Sequence, residues 1–413
     1  MFIIFGSPAG LTTDSSLAPA PKVLTLSQLD SYGFAFGYDN ARFGDSLAWG
    51  DFNADTYGDL VIGAPSASRL FFLGPKVGVV AMIPGGPAGP DPINFEESQF
   101  VTARSLGLGD TERAYFGTTI TGGDFNGDGF GDLAMSCAKC GSTQAPTFAV
   151  IYGSIVGLSL ETTRAFQTFS ASSVGAEADS FFAAALASGD FSGDGKTDLA
   201  VGAPSADVGV TNAGAVFVLM GSASGLSLSG RQVWNQDKLG RGVQKDAGFG
   251  KSLAAGDFNA DGKVDLAVGV PWRSIGNTTA AGEVDVVYGS SSGLSTTAVR
   301  VPQFWTQDGV QGTGSMAAYN EFGFTLSAWN FGRNERVLIN PTFQIYFTKT
   351  PTDLAIGIPN QAVNGLLEAG AVDVLYGSSV SNGLVKTNAN VWNADTTGIG
   401  GPLKNAYFGL ALY

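Results

Sequence analysis

The segment Asp124-Phe-Asn-Gly-Asp-Gly-Phe-Gly-Asp132 carries side-chain oxygens at its first, third, fifth and ninth positions. Three other segments repeat this nine-residue pattern: Asp51–Asp59, Asp190–Asp198 and Asp257–Asp265. Oxygen-only ligand sets suit hard cations, and Ca²⁺ accepts many oxygens in flexible geometry. Four copies in one chain predict an array of similar units, each carrying one acidic loop.

Each acidic loop supplies a predicted ligand set. The side chains of positions 1, 3, 5 and 9 and the backbone carbonyl of position 7 would bind the ion, giving about four structural Ca²⁺ sites. The candidate metal ligands are Asp51, Asn53, Asp55, Tyr57 and Asp59; Asp124, Asn126, Asp128, Phe130 and Asp132; Asp190, Ser192, Asp194, Lys196 and Asp198; and Asp257, Asn259, Asp261, Lys263 and Asp265.

Two of the loops depart from the common pattern. Position 6 is Gly129, Gly195 or Gly262 in three loops, where a sharp turn with positive φ is expected, but it is Thr56 in the first loop. Position 3 of the third loop is Ser192, a shorter neutral ligand. We therefore expect the first and third sites to be weaker than the others.

Two other interpretations of the loops are an EF-hand and an ordinary solvated turn. An EF-hand needs a Glu at position 12, and this position holds Ile62, Met135, Val201 or Val268. Ordinary solvated Asp-Asn-Gly turns would account for one copy. Four copies in register favour calcium.

Two further markers accompany the loops along the chain. Phe-Gly precedes the loop, as at Phe43, Phe116 and Phe249, and Tyr-Gly-Ser follows it, as at 288–290. Successive Phe-Gly positions are 66 to 86 residues apart. Short apolar runs bounded by Gly, Pro and Ser predict buried strands. Four strands in each unit give an all-β fold, a β-propeller of four-stranded blades.

The ordered markers Phe-Gly, acidic loop and Gly-Ala-Pro resemble the FG-GAP repeat, as found in the β-propeller of integrin α subunits. The resemblance covers nearly all of residues 1–413, which we expect to form a single FG-GAP propeller. Six units are visible, the last split between the termini, so that residues 1–42 and 404–413 would share one incomplete blade. Because an integrin-type ring has seven blades, we expect the chain to be a fragment of a longer parent or an incomplete gene model.

The fifth unit has lost the acidic spacing. Asn330 aligns with the first position and Asp353 with the ninth, with 15 extra residues between them. We predict no calcium in this unit. The extra segment is interpreted as a tolerated loop insertion, a retained intron or a functional binding loop.

Composition excludes several classes of function. A net charge of −14 argues against nucleic acid as a partner. The chain has no histidine, no evident carboxylate pair outside the loops and no nucleophile motif, so we expect no enzymatic activity. Cys137 and Cys140 are expected to form a local disulfide or to be two idle thiols. No apolar run is long enough for membrane insertion, and the first residues do not form a signal peptide.

These observations predict a non-catalytic extracellular calcium-binding propeller, secreted with a signal peptide not present in this sequence. The resemblance implies an adhesion or ligand-binding module whose protein or glycan ligand binds the face opposite the calcium loops. One alternative is lectin-like carbohydrate binding, with the Trp residues of the fourth strands as a stacking surface, although packing between blades is favoured for them. Another is a structural subunit of a cell-surface assembly or filament, formed by self-assembly through open strand edges.

Overall fold

The computed structural model describes residues 2–3, 6–7, 10–11, 22–25, 36–37, 40–69, 76–87, 89–90, 99–109, 112–141, 144–158, 166–297, 301–331, 350–381, 383–396, 401 and 403–412. The chain divides into two compact units. Unit 1 is Met1–Ala178 with Ala223–Gly225, and unit 2 is Asp179–Ser222 with Leu226–Tyr413.

Unit 1 holds two four-stranded antiparallel sheets, called blades 1 and 2. Six two-residue strands precede or flank them: β1 (Phe2–Ile3), β2 (Gly6–Ser7), β3 (Gly10–Leu11), β4 (Lys22–Val23), β5 (Phe36–Gly37) and β8 (Ser68–Arg69). Blade 1 is β6 (Ser46–Gly50), β7 (Asp59–Ala64), β9 (Val79–Ile83) and β10 (Gln99–Val101). Blade 2 is β11 (Ile120–Gly123), β12 (Asp132–Cys140), β13 (Ala145–Ile151) and β14 (Phe166–Ser170), followed by the short helix α1 (Ala171–Val174).

Unit 2 holds three more antiparallel sheets, blades 3 to 5. Blade 3 is β15 (Ala185–Gly189), β16 (Asp198–Ala203), β17 (Ala215–Met220) and β18 (Ser227–Trp234). Blade 4 is β19 (Ser252–Gly256), β20 (Asp265–Val270) and β21 (Glu283–Ser290), with an interrupted fourth strand made of β22 (Gly293–Ser295) and β23 (Gln303–Trp305), before the helix α2 (Gln307–Gln311). Blade 5 is β24 (Thr325–Trp329), β25 (Asp353–Ile358), β26 (Ala371–Ser378) and β27 (Gly383–Asn393).

The fold is therefore an all-β propeller type with five blades of four antiparallel strands each. The predicted sixth blade and the seventh are not confirmed. Most of residues 1–42 lie outside the described residues, and the parts that are described pair only as two-residue strands. Phe408 forms a parallel bridge with Gly370, as the Phe-Gly position of a following unit should, but no four-stranded sheet follows it within the described chain.

The Phe-Gly and Gly-Ala-Pro markers are explained by contacts between neighbouring blades. In unit 2, Phe322 of blade 5 pairs with Gly282 of blade 4, and the Gly323 carbonyl lies 2.1 Å from where a Cβ on Gly269 would be. A side chain at Gly269 would therefore collide with the next blade's backbone. The same parallel bridge recurs at Gly214 with Phe249.

The second strand is deeply buried in blades 1, 3, 4 and 5. All six residues of β7, β16, β20 and β25 are buried. Continuous apolar runs of this kind are typical of strands covered on both faces. The phenylalanine at position 2 of each acidic loop adds to the same core, since Phe52, Phe125, Phe191 and Phe258 are fully buried.

Cys137 and Cys140 form a disulfide. Both lie at the end of β12, where the pairing with β13 shifts register between them, and both are buried. Of the two alternatives left open by the sequence, the structure contains the local bridge.

Candidate metal centres

Each acidic loop joins the first strand of a blade to its second. In blade 4 the loop runs from the end of β19 to Asp265, the first residue of β20, and Gly256 pairs with Asp265 to close the hairpin. The other three loops occupy the same place in blades 1, 2 and 3.

Consecutive loops within a unit are joined by one repeated hydrogen bond. In unit 1, the Gly131 N–H donates to the Asp51 carbonyl at 2.8 Å. In unit 2, the Val264 N–H donates to the Asp190 carbonyl at 3.0 Å, and the Thr352 N–H to the Asp257 carbonyl at 2.8 Å. Each unit therefore presents its loops side by side at one end of its blades.

The oxygens of positions 1 and 3 converge within three of the loops. In the second loop, the Asp128 N–H donates to Asp124 Oδ1 at 3.1 Å and to Asn126 Oδ1 at 2.9 Å. The first and fourth loops repeat this pair of bonds at Asp55 and Asp261. Two side-chain oxygens therefore lie close together in each of these loops.

The third loop lacks this convergence. The Ser192 hydroxyl donates to Asp190 Oδ1 at 3.3 Å, and Lys196 Nζ lies 3.5 Å from Asp194 Oδ2. An ammonium group at position 7 thus lies next to the carboxylate of position 5. The weaker binding expected of the first and third loops stays a prediction.

Positions 5, 6 and 7 form the tight turn that the sequence predicts. The N–H of position 7 donates to the position 5 carboxylate in all four loops, at 2.8 to 3.0 Å. Position 6 has positive φ at Gly129, Gly195 and Gly262, and Thr56 adopts the same conformation with φ 75°. A β-branched residue is strained there, which explains why glycine is preferred.

The aspartate at position 9 accepts one backbone hydrogen bond at each carboxylate oxygen, an arrangement that we call the clamp. In blade 4, Asp265 Oδ2 accepts from the Phe258 N–H and Oδ1 accepts from the Gly289 N–H, both at 3.0 Å. The same two-sided clamp holds Asp59 and Asp132, and Asp198 differs only in taking one bond from Ser192 instead of the adjacent phenylalanine. It ties the start of the loop to the end of the third strand.

Blade 5 keeps the clamp without the rest of the acidic loop. Asp353 accepts from the N–H groups of Phe331 and Gly377, each at 3.0 Å. Residues 332–349, where the other acidic positions would lie, fall outside the described residues. The ninth aspartate thus makes the same backbone contacts in a blade that has lost the acidic spacing, a role that ligand spacing alone did not reveal.

The glycine of the Tyr-Gly-Ser marker makes this clamp possible. A Cβ on Gly289 would lie 2.5 Å from the Val264 carbonyl, and one on Gly377 would lie 2.3 Å from the Thr352 carbonyl. Only glycine brings its N–H this close to the loop. The third sequence marker is therefore explained by the same contact.

Burial and mutual repulsion act on the clamping carboxylates. Burial raises the pKa of Asp132 to about 7, that of Asp198 to about 6 and that of Asp265 to about 8, and it also raises the pKa of Asp59. The backbone N–H groups oppose this rise, while the carboxylates of positions 1 and 5 in the same loop add to it. Each loop therefore gathers three carboxylates close enough to repel one another.

The donor chemistry of the loops fits a hard cation, since the side-chain donors are all oxygens and three of the four are carboxylates. In the described part of the chain, no three His, Cys, Asp or Glu side chains are already drawn together as a complete metal-binding group. The loop carboxylates instead accept backbone hydrogen bonds. Ion binding would therefore require the carboxylates of positions 1 and 5 to turn toward the ion.

A carboxylate pair outside the loops was not expected, but the structure contains one. Glu283 and Asp285 lie two residues apart on β21 and both are fully buried. Glu283 is paired with Arg241 and lies 3.5 Å from Arg273, and Gln236 donates to Asp285 Oδ2 at 3.2 Å. Burial and the neighbouring Glu283 raise the pKa of Asp285 well above its usual value. The two acids are covered from solvent, which suits an internal ion network.

The tryptophans of the fourth strands differ in exposure. Trp234 is buried beneath Lys238, whose Nζ lies 3.8 Å from the ring centroid, and Trp305 is half-buried against the core of blades 4 and 5. Trp392 is 40% exposed. The two most exposed tryptophans, Trp49 and Trp329, lie on first strands and were not singled out from the sequence. No helix in the described chain is long and apolar enough to cross a membrane.

Comparison with known proteins agrees with this repeat architecture. The family model "FG-GAP repeat" matches residues 43–80, 116–136, 182–219 and 249–287. These matches fall on the four blades that carry an acidic loop.

Similar proteins include human "Phosphatidylinositol-glycan-specific phospholipase D", 31% identical over 60% of this chain and 28% of its own length. Xenopus laevis "Integrin alpha-5" is 28% identical over 59% of this chain and 21% of its own length. The chain thus spans less than a third of these relatives. Among solved structures, rhamnogalacturonan lyase YesX is 11% identical, with a TM-score of 0.40 over 88% of this chain and 56% of that one.

Proposed function

We propose that this FG-GAP repeat protein, which is similar to the integrin α subunits, is a non-catalytic extracellular module. It would bind about four structural Ca²⁺ ions in its acidic loops and a ligand on the opposite side of its blades. The observation that carries the proposal is the repetition, in blades 1, 2 and 4, of side-chain oxygens from positions 1 and 3 that converge on one N–H group.

Calcium would act on the loops through charge. Three carboxylates in one short loop repel one another, and the ion supplies the positive charge that cancels this repulsion. Asp124, Asn126, Asp128 and Asp132, with the carbonyl of Phe130, would hold it in blade 2, and the corresponding residues in the other three blades. A ligand that binds only the folded state stabilises that state by mass action.

The ligand side is assigned by strand direction. The first strand of each blade ends at the acidic loop, so in an antiparallel blade the connections between strands 2 and 3, and those leading to the next blade, lie at the other end. Such connections support binding because they vary without disturbing the sheets. An extracellular location agrees with the calcium loops and with the integrin α relatives.

Enzymatic activity is not part of the proposal. The human phospholipase D relative has an enzyme's name, but most of that protein lies outside the similarity. The carboxylate pair of this chain is buried and partnered by arginine. For a lectin, the described fourth strands offer one tryptophan with substantial exposure, Trp392.

Calorimetric titration of the calcium-free protein with Ca²⁺ tests the metal half of the proposal. We expect about four ions per chain, with weaker binding by the third loop, and no comparable binding of Mg²⁺, which prefers stricter octahedral geometry. A stoichiometry near zero would contradict the proposal.

A further inference from the structure

The connection between blades 3 and 4 is basic in a chain of net charge −14. Residues 234–251 carry Lys238, Arg241, Lys245 and Lys251 against Asp237 and Asp246. The corresponding connection between blades 4 and 5, residues 305–324, carries no Lys or Arg, but two acids, Asp308 and Glu321. Of these two connections, only the first has a net positive charge.

The connection between β20 and β21 adds a fifth cation to this surface. Arg273 donates from Nη2 to the Arg241 carbonyl at 2.9 Å and from Nη1 to the Gly242 carbonyl at 3.1 Å. Gln244 and Ser274 exchange two further hydrogen bonds, at 3.2 and 2.6 Å. The two connections therefore form one surface. We call Lys238, Arg241, Lys245, Lys251 and Arg273 the basic patch.

The basic patch lies at the end of blade 4 remote from its acidic loop. β19 begins just after Lys251 and ends at the loop, while β20 runs back from the loop toward Arg273. The patch is thus on the side of unit 2 where the proposed function places the ligand. A ligand bound to the basic patch would therefore not compete with calcium for the acidic loop.

The acids beneath the patch do not neutralise it. Glu283 is the partner of both Arg241 and Arg273, so one carboxylate faces two guanidinium groups. The neighbouring Asp285 has its pKa raised by burial, which favours its uncharged form. The side chain of Arg241 remains 33% exposed and that of Lys245 69% exposed. Lys245 Nζ also lies 3.9 Å from Asp246 Oδ2, and the charge of Glu321 acts on Lys251. With Asp237 and Glu283, four acids face the five cations of the patch, so a small net positive charge remains.

Three cations of the patch rest on aromatic rings. Lys238 lies over Trp234 at 3.8 Å, Arg241 over Phe304 at 4.5 Å and Lys251 over Phe324 at 4.7 Å. These contacts hold the charged groups in place. They also cover ring faces on which a sugar could stack, so the patch offers charge and hydrogen-bond donors more than a platform for saccharides.

We propose that the basic patch binds an acidic peptide segment of a partner protein through its Asp and Glu carboxylates. Lys238 and Lys245 are the exposed cations of the patch, and each ammonium group offers three N–H donors to carboxylate oxygens. This inference rests on the proposed function and names the ligand class for its binding side.

Fluorescence anisotropy with a short fluorescein-labelled peptide of alternating Glu and Ser tests the inference. The protein is kept in saturating Ca²⁺, and a peptide with Lys in place of Glu serves as the charge control. The variant K238Q/K245Q removes two exposed charges and leaves the Glu283 network intact. The matched control K386Q/K404Q makes the same charge change on exposed residues of blade 5 and just after it.

We expect the acidic peptide to bind, to weaken as salt is raised, and to lose on the order of tenfold in affinity in K238Q/K245Q but not in K386Q/K404Q. No binding, or equal loss in both double variants, would overturn the inference. Preferential binding of heparin or polygalacturonate through the same lysines would also overturn the peptide assignment, while the ligand-binding role would stand. The calcium stoichiometry of the same preparation shows separately whether the metal half of the proposed function holds.

Discussion

The backbone N–H of Gly377 donates a 3.0 Å hydrogen bond to Asp353 Oδ1 in a blade that has lost the acidic spacing of the other four. The second oxygen of Asp353 is held by Phe331. Blade 5 has lost the ligand pattern but keeps this clamp, so the motif combines two separate roles. The ninth aspartate holds the backbone of the blade, and positions 1, 3 and 5 are proposed to provide the response to metal.

Replacing Asp353 by Asn should destabilise the protein equally with and without calcium. The amide can accept at only one oxygen, which leaves the Phe331 or Gly377 N–H unpaired, at a cost of about 1–3 kcal/mol. Thermal melts in Ca²⁺ and in chelator check this prediction. A destabilisation that appears only in Ca²⁺ would show that blade 5 binds the ion after all.

Replacing Asp261 by Asn should affect the protein in Ca²⁺ but hardly in chelator. Asp261 is exposed, and its oxygen accepts from the Lys263 N–H within the same loop, so its loss should change stability little in chelator. In Ca²⁺ the variant should bind about one ion fewer by calorimetric titration. An unchanged stoichiometry would remove the fourth loop from the set of metal sites.

Much of this architecture follows from the order of three sequence markers. The repeated acidic loops with their apolar flanks predict the blades, because a strand buried on both faces leaves a continuous apolar run. The sequence does not show why each marker is present, because the reason lies in contacts between residues that are far apart along the chain. The Gly289 N–H bonds Asp265 across 24 positions, and Arg241 meets Glu283 across 42.

Local spacing also left some points undecided. A Cys-X-X-Cys pair is compatible with a bridge or with free thiols, and the backbone of β12 decides it. The acid pair of β21 was missed because its two residues alternate with valines, as in any strand, and only the fold brings Arg241 and Arg273 to them. The predicted sixth blade rested on terminal segments that form no complete sheet in the described chain.

Replacing Thr56 by Gly should stabilise the first loop. Thr56 has φ 75°, a conformation that costs a non-glycine residue about 1–2 kcal/mol, partly offset by the greater freedom of glycine in the unfolded chain. We expect a net gain of about 1 kcal/mol by chemical denaturation. The matched change A54G, also at positive φ but without a β-branched side chain, should gain less.

Asp373 should make the stability of the protein depend on pH. Burial raises its pKa to about 7, against an opposing hydrogen bond from Gln311. The folded state then keeps a proton that the unfolded state loses near pH 4, so this group's contribution falls as pH rises from about 4 to about 7 and is constant above. Other buried aspartates titrate in the same range, so the difference between wild type and variant is the quantity to measure.

The D373N variant should therefore lose this part of the pH dependence. Relative to wild type it should gain stability between pH 4 and 7, by an amount on the order of a few kcal/mol. Denaturation at a series of pH values in constant Ca²⁺ measures the difference. A constant difference across this range would mean that Asp373 titrates normally.

The most direct test of the central claim is a thermal melt of the unmodified protein in excess Ca²⁺ and in chelator. We predict a large drop in the melting temperature on chelation, restored by Ca²⁺ but not by Mg²⁺. An unchanged melting temperature would contradict the assignment of the four acidic loops as structural calcium sites.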